Sequence, residues 1–275
     1  MKLKTGFVLF QDYHQKANIG SSRIRGKWLI DKMKGAEEFV QGNKYDVIIF
    51  QKTYWKEMAR QFKGVKILDI CDPDWLDGAE VINFIEEMDA VVVPTEIMRK
   101  RLSGMTKVPI HIIPDRVNLE TLPKLKVHKG RAKSCVWFGY IHNAHVLDGV
   151  GFKVKKNNLL LKIISNGTYN FKECSVKNIK WEQETVDAEL RKADIALLPR
   201  MLKGRDEYKS NNKTIHSWAI GLPVATNPKE LDLFMDEEER TKECKKRRKE
   251  VEEDYDVKLS VKEYETLIKD LIKNK

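Results

Sequence analysis

Ala90-Val91-Val92-Val93-Pro94-Thr95 decides the fold of this chain. Four apolar residues with no polar alternation suit a strand buried on both faces, and Pro94 stops it. Thr95 offers a side-chain oxygen to the free amides of a following helix, read through Leu102. A doubly buried strand handed straight to a helix is the unit of a parallel sheet covered by crossover helices. The alternation extends both ways. Gly6-Phe7-Val8-Leu9-Phe10, Asp46-Val47-Ile48-Ile49-Phe50 and Lys66-Ile67-Leu68-Asp69-Ile70 read as strands upstream. Helices read over 22–34, with Ile24, Trp28 and Met33 near one face, and over 54–62 and 79–88. Downstream, Ile110-His111-Ile112-Ile113 is a fifth strand ended by Pro114. Residues 1–125 thus read as a doubly wound α/β domain.

Residues 122–130 are polar, basic and punctuated, which suits a linker. The pattern then restarts. Strands read over 134–138 (closed by Gly139), 159–164, 178–181, 194–198 and 223–226. Helices read over 185–192 and 212–220, the latter stopped by Gly221. Residues 131–254 therefore read as a second α/β domain. Its end is dense in charge, with Asp236-Glu237-Glu238-Glu239 and Lys245-Lys246-Arg247-Arg248-Lys249. The two readings are a solvated helix and a basic nucleic-acid arm, and the flanking acids favour the first. Leu259, Val261, Tyr264, Leu267, Ile268 and Leu271 then mark a final amphipathic helix within 255–275.

The 275 residues carry 51 Lys and Arg against 41 Asp and Glu, a formal charge of +10. At 41% hydrophobic there is material for real cores, which excludes disorder as the main state. No stretch approaches the ~20 apolar residues of a membrane span, and no long apolar signal region opens the sequence. Cys71, Cys135, Cys174 and Cys244 are scattered without metal-type spacing, so a reduced, cytoplasmic setting is expected. The positive charge calls for an anionic partner: a nucleotide, a nucleic acid or a membrane surface.

Several segments in order sharpen this. They are Gly20-Ser21-Ser22-Arg23-Ile24-Arg25, Met88-Asp89-Ala90-Val91-Val92-Val93-Pro94-Thr95 and His111-Ile112-Ile113-Pro114-Asp115-Arg116-Val117. Val136-Trp137-Phe138-Gly139-Tyr140, "LRKADIALLP" over 190–199 and "NKTIHSWAIGLPVA" over 212–225 follow. The set resembles the GT-B glycosyltransferases, in particular their family-4-like group, over most of residues 5–235. That resemblance implies two Rossmann-like doubly wound domains facing a central cleft, with residues 255–275 crossing back to the N-terminal domain. It implies a sugar transfer from a nucleotide-sugar, a UDP-sugar first of all, with no obligatory metal. The nucleotide would lie with the C-terminal domain and the acceptor with the N-terminal one.

On the donor side, Gly20 and Ser21 supply a tight turn and helix-start amides, with Arg23 one turn in. An ordinary strand-to-helix turn with solvent arginines reads equally well. Asn212, Lys213 and Thr214 open a helix whose N-terminus carries free amides and partial positive charge. Lys213 adds a full charge suited to a diphosphate leaving group, and Arg200 and Arg205 precede it. The bland alternative is a surface cap with a solvated lysine. Gly139 and His142 follow a strand and join the donor set. The resemblance also exposes a departure. Where many family-4 enzymes hold the ribose with a Glu, this chain has His216, and Tyr208, beside Glu207, replaces the acidic companion.

For a general base, Asp12, His14 and Asp72 all follow strands and should reach the sheet's carboxyl edge. Asp74 could instead cap the next helix. Tyr13, Arg25 and Lys52 are the acceptor-side candidates. An Asp-x-Asp metal site at Asp72 and Asp74 is disfavoured, and Trp75, Trp181 and Trp218 read as packing residues. The resemblance extends to phage DNA glycosyltransferases that share the GT-B architecture, which implies a hydroxymethylated pyrimidine base in DNA as one acceptor beside an envelope glycan or a small molecule, and charge and compact length favour the DNA among them. The alternatives are a lipid-linked or cell-envelope glycan at an anionic membrane, and a non-catalytic nucleotide- or nucleic-acid-binding relative.

Overall fold

The computed structural model describes residues 3–16, 18–78, 80–122, 124–171, 174–201 and 203–275. The expected helix start Ala79 and the linker's Pro123 lie outside the described residues. The chain packs as two units. One comprises 1–118, 203–210 and 255–275; the other comprises 119–202 and 211–254. The first break thus precedes residue 125, and residues 203–210, expected in the second domain, pack with the first.

The first unit is built on six parallel strands. They are Thr5–Leu9 (β1), Ala36–Glu38 (β2), Val47–Gln51 (β3), Val65–Asp69 (β4), Ala90–Val93 (β5) and Ile110–Ile112 (β6). Their order is β2-β1-β3-β4-β5-β6. The chain steps outward from β1 to β2 and returns to β3, so a topological switch point lies between β1 and β3. Every residue of β1, β3 and β5 is buried, as their unbroken apolar runs require. Thr95 caps the Glu96–Ser103 helix, its hydroxyl accepting from the Met98 amide at 3.3 Å. β2 carries no apolar run to announce it, being a three-residue edge strand with an exposed end.

Helical cover lies on both faces of this sheet. Phe84, Ile85, Met98 and Leu102 pack on one side with Ile48, Phe50, Leu68 and Val91. On the other, Leu29 and Met33 pack with Phe7, Leu9, Val47 and Ile49. The helix Val257–Lys273 joins that second layer through Val257, Val261, Tyr264, Leu267 and Ile268. Burying Leu267 and Ile268 contributes roughly 1.5–3 kcal/mol each. Asp256 caps this helix, accepting from the Lys258 amide at 3.0 Å. Beside it, Arg116 bonds Ser260 and Glu263.

The helical run over 20–30 departs from its expected phase. A π-helical turn, Arg23–Lys27, is inserted between the short helical pieces Gly20–Ser22 and Trp28–Ile30. The fully buried positions are Ser22, Arg25, Gly26, Leu29 and Met33, one stripe at helical spacing, while Ile24 and Trp28 are only half-buried. Gly26 lies against Leu9 so closely that a Cβ would collide with the Leu9 side chain.

In the second unit the parallel strands are Ser134–Phe138 (β7), Leu160–Ser165 (β8), Val176–Lys180 (β9), Ile195–Leu197 (β10) and Val224–Ala225 (β11). Their order is β11-β10-β7-β8-β9. The core is continuous from Trp137 and Ile163 through Leu197 to Leu231 and Phe234. The charged stretch forms the helix Glu237–Asp254. Arg247 pairs with Glu243 and Glu250 at 2.7 and 2.6 Å, and Arg248 pairs with Glu252 at 2.5 Å. Arg247 also lies 4.3 Å from the Trp218 ring centroid, and Arg248 donates to the Ala219 carbonyl at 2.8 Å. The arginines of the basic run are thus used internally, leaving Lys245, Lys246 and Lys249 exposed. No helix among the described residues is long and apolar enough to cross a membrane.

Candidate active site

Chemistry in a parallel sheet gathers beyond the carboxyl ends of the strands. In the first unit four strand ends meet there. Gln51, at the end of β3, is fully buried and accepts from the Ser22 hydroxyl (2.8 Å) and the Phe10 amide (3.2 Å). Ser22 in turn accepts from the Gln11 amide at 3.1 Å. These bonds hold the turn Phe10–Tyr13, which carries Asp12 and Tyr13 and leads to His14. All three are exposed.

Lys52 is the hub. Its φ is +54°, a left-handed conformation uncommon for a residue with a side chain. The surroundings fix it there: its amide donates to the Asp69 carbonyl at 2.8 Å. Its Nζ lies 2.5 Å from Asp72 Oδ2 and 3.6 Å from Asp74 Oδ1. Local strain of this kind costs on the order of 1–3 kcal/mol and concentrates at functional sites. Burial, the largest single influence, lowers the Lys52 pKa, but neighbouring Cys71, Asp72 and Asp74 outweigh it and raise it. The ammonium therefore occupies the place between Asp72 and Asp74 that a cation would take. Asp74 does not start a capped helix; its carboxylate accepts from Tyr54 Oη at 2.7 Å. Burial chiefly, and the nearby Asp72 charge, raise the Asp74 pKa.

Lys52 also reaches the loop after β1. Its Nζ lies 5.2 Å from the Phe10 ring, whose centroid is 4.5 Å from that of His14. Burial, then Lys16 and Lys52, lower the His14 pKa. The imidazole is consequently neutral near pH 7 and has a lone pair to offer. Asp12, His14 and Asp72, the three expected bases, thus share one edge of the sheet with Tyr13 and Lys52.

Arg25 is corrected. It is 3% exposed and cannot meet an acceptor as an exposed side chain would. Its guanidinium binds Asp69 at 2.6 Å, Asp115 at 2.7 Å and the Ile113 carbonyl at 3.0 Å. Tyr264 Oη donates to the second Asp69 oxygen, and Ser210 Oγ donates to Asp115 at 2.5 Å. Arg25 lies on the buried stripe of Ser22, Gly26 and Leu29. Gly20, Ser21 and Arg23 stand at the opening of the same run, in the first unit, with the Arg23 guanidinium 5.9 Å from the Trp28 ring. Tyr208 also belongs to the first unit, 9% exposed and edge-on to Trp75 at 5.4 Å. Arg205 pairs with Asp77 in that unit.

The second unit gathers a different set around the end of β7. Gly139 has φ +148° and faces Lys213; a Cβ there would collide with Nζ. The lysine passes 5.0 Å from the Trp137 ring and 5.9 Å from the Phe138 ring. It sits in the first turn of the helix Asn212–Ala219. Asn211, at the N-cap position, makes no side-chain cap bond, and its carboxamide oxygen instead accepts from Arg200. The helix thus opens with Lys213 and Thr214 in its first turn and with Arg200 bound to its N-cap residue. His142 is exposed in the 3₁₀ turn Ile141–Leu147 after Gly139 and stacks on Tyr140 at 5.8 Å. This unit therefore brings together Gly139, Arg200, Asn212, Lys213, Thr214 and His216.

Two residues here escaped the sequence reading. Asp187, in the first turn of the helix Val186–Arg191, lies 2.6 Å from His216 Nε2. A carboxylate from 29 residues upstream thus stands beside His216, the residue found where the resemblance expected a Glu. No local spacing announces that pair. Trp55, the second, sits beside Tyr13 with ring centroids 5.7 Å apart.

No family model matches this chain, and no curated protein matches it in sequence. Solved structures match it in shape. S. aureus TarM, in complex with fondaparinux, α-GlcNAc-glycerol and UDP, gives a TM-score of 0.62 at 15% identity, over 88% of this chain and 57% of TarM. The lipopolysaccharide outer core galactosyltransferase WaaB gives 0.59 at 11% identity, over 98% of this chain and 99% of WaaB. T4 phage BGT, in complex with UDP and Mn2+, gives 0.60 at 11% identity, over 97% and 99%. The chain therefore spans little more than half of TarM and nearly all of the other two. At such identities the likeness establishes the fold: two Rossmann-like domains of the GT-B class.

Proposed function

We propose that this protein is a glycosyltransferase that moves a sugar from a nucleotide-sugar, a UDP-sugar first of all, to a hydroxyl of a cell-envelope glycan. The observation that carries the reading is Lys213, in the first turn of a helix, lying over Gly139 at the end of β7. Breaking the sugar–phosphate bond leaves a diphosphate more anionic than in the ground state. An ammonium and oriented amides fixed in advance stabilise that developing charge. Arg200 adds a second cation, and the Asp187–His216 pair offers acceptors for nucleoside hydroxyls. On the acceptor side, His14 suits the base best, because its imidazole is held neutral, while Asp72 is engaged by Lys52.

WaaB, a lipopolysaccharide galactosyltransferase matched along its length, and TarM, crystallised with α-GlcNAc-glycerol, favour a glycan acceptor. DNA is the second reading, favoured by the net charge of +10 and by the likeness to T4 phage BGT. The test is to incubate the protein with UDP-glucose, UDP-galactose and UDP-N-acetylglucosamine, lipopolysaccharide core oligosaccharide, and hydroxymethylated DNA. UDP release with a one-sugar mass gain on the oligosaccharide is expected. A gain on DNA instead selects the second reading. No UDP release from any donor, with UDP still bound, makes the protein a non-catalytic binder.

A further inference from the structure

The turn after β1 presents aromatic rings that the proposed chemistry leaves unused. Tyr13 is 44% exposed, so its ring is open to a ligand from solvent. Its ring centroid lies 5.0 Å from His14, edge-on, and 5.7 Å from Trp55, tilted by 46°. Trp55 is backed in turn by Phe39 at 6.1 Å, and Phe39 by Tyr45 at 5.4 Å. The outermost ring is thus open to solvent while those behind it are braced. Gln51 and Ser22 hold the Phe10 and Gln11 amides, so the turn that carries Tyr13 and His14 is anchored where it leaves β1.

Charge beside these rings is not that of a nucleic-acid groove. Asp12, Asp72, Asp74 and Asp77 supply four carboxylates against the three cations Lys16, Lys52 and Arg205, and the lowered His14 pKa favours its neutral form. Lys52 is already engaged by Asp72 and Asp74, and Lys16 lies 5.3 Å from the Phe10 ring. A phosphate backbone would find no excess of cations here, and binding to one is carried by such an excess. A pyranose suits the place better. One face of the ring is a row of C–H groups that packs on an aromatic plane, and its rim of hydroxyls donates to carboxylates.

We propose that Tyr13, His14 and Trp55 form a cradle for one uncharged pyranose ring of the acceptor. The cradle rests on the glycosyltransferase reading and narrows it: the acceptor is carbohydrate, not DNA. It also sets the sugar's hydroxyls within reach of the His14 imidazole.

Saturation-transfer NMR with methyl glucoside, methyl galactoside and methyl N-acetylglucosaminide as probes tests this. A duplex containing hydroxymethylcytosine serves as competitor. At least one glycoside should receive saturation on its C–H protons. Tyr13→Ala should weaken it about tenfold, the order expected for a lost stacking partner. Tyr13→Phe, which keeps the ring, should bind as the parent does. Tyr13 is exposed, so its truncation spares the core, and UDP binding in the same variants reports on the second unit. Silence from all three glycosides, or equal binding by Tyr13→Ala, overturns the cradle. So does displacement of the glycoside by the duplex. If UDP still binds in those cases, the transferase reading survives without the cradle. If glycosides bind and UDP does not, the cradle stands and the transferase reading falls.

Discussion

Replacing Arg25 by methionine should be among the most damaging single changes in the first unit. The side chain is 3% exposed, and its partners Asp69 and Asp115 are 0% and 8% exposed. Methionine fills a similar volume but leaves two buried carboxylates without their cation. Removing one member of a buried pair costs about 3–5 kcal/mol, because an uncompensated charge stays behind. That is a large share of the ~5–15 kcal/mol that holds a typical domain. Tyr264→Phe, which deletes one donor to the same Asp69, should cost less, about 1.5–3 kcal/mol for a bond to a charged group. The double variant should fall short of the sum, since both changes act on one carboxylate.

The pH dependence follows from the sign of the shift. Burial is the largest influence on Asp69 and raises its pKa. Without Arg25 nothing of comparable strength opposes that rise. A carboxyl whose folded pKa exceeds its unfolded value of about 3.9 holds more protons when folded. Stability is then lost as pH rises through the folded pKa and recovered as pH falls. The deficit of Arg25→Met should therefore be greatest near pH 7 and shrink toward pH 5. Urea unfolding followed by far-UV circular dichroism measures both. A variant within about 1 kcal/mol of the parent at neutral pH, or a deficit that grows on acidification, refutes the argument.

Lys213→Met should weaken UDP binding by roughly ten- to a hundredfold in calorimetry, the range for a lost charged hydrogen bond. Gly139→Ala should act through the same lysine, since its Cβ takes the space of Nζ and strains a positive φ; the two losses should not add. In the second unit, buried His128 accepts from Arg240 Nε at 3.2 Å and faces the Gly221 carbonyl at 3.0 Å. Burial chiefly lowers its pKa, so its contribution is present above the unfolded value of about 6.5 and lost as pH falls through the folded one. Unfolding midpoints below pH 6 should drop, and His128→Asn should flatten that part of the profile. Gly26→Ala should cost about 1–3 kcal/mol by overpacking against Leu9, read as a lowered thermal midpoint.

Much of the fold was legible because doubly buried strands cannot hide. Ala90-Val91-Val92-Val93 reads as a strand with or without its neighbours, and Thr95 announces the helix after it. Ala36-Glu37-Glu38 does not, because an edge strand with an exposed end needs no apolar run. Arg25 misled for a different reason. The inward stripe of Ser22, Arg25, Gly26, Leu29 and Met33 keeps helical spacing, but its polar members hide it, and the apolar Ile24 and Trp28 point to another face. At the site, Gly139 could be named because it ends a strand, His14 because it lies in the turn after β1, and Lys213 because it opens a helix. Asp187 and Trp55 could not: what makes them matter is a partner 29 residues away in one case and a ring on another loop in the other. Residues 203–210 carry no mark in composition that they pack with the first unit.

The first unit is assembled from three separate stretches, the last of them 255–275. A ribosome delivers Arg25, Asp69 and Asp115 well before Tyr264. At ~5–20 residues per second the interval between Asp115 and Tyr264 is on the order of ten seconds. Throughout it the apolar layer that receives Val257, Val261, Leu267 and Ile268 stays uncovered, and Asp69 lacks its phenol partner. The intervening stretch can meanwhile form β7–β11 on its own strands. The sheet synthesised first is therefore the one finished last, and a nascent chain that stalls before Tyr255 displays a greasy, charged wound for chaperones and proteases to find.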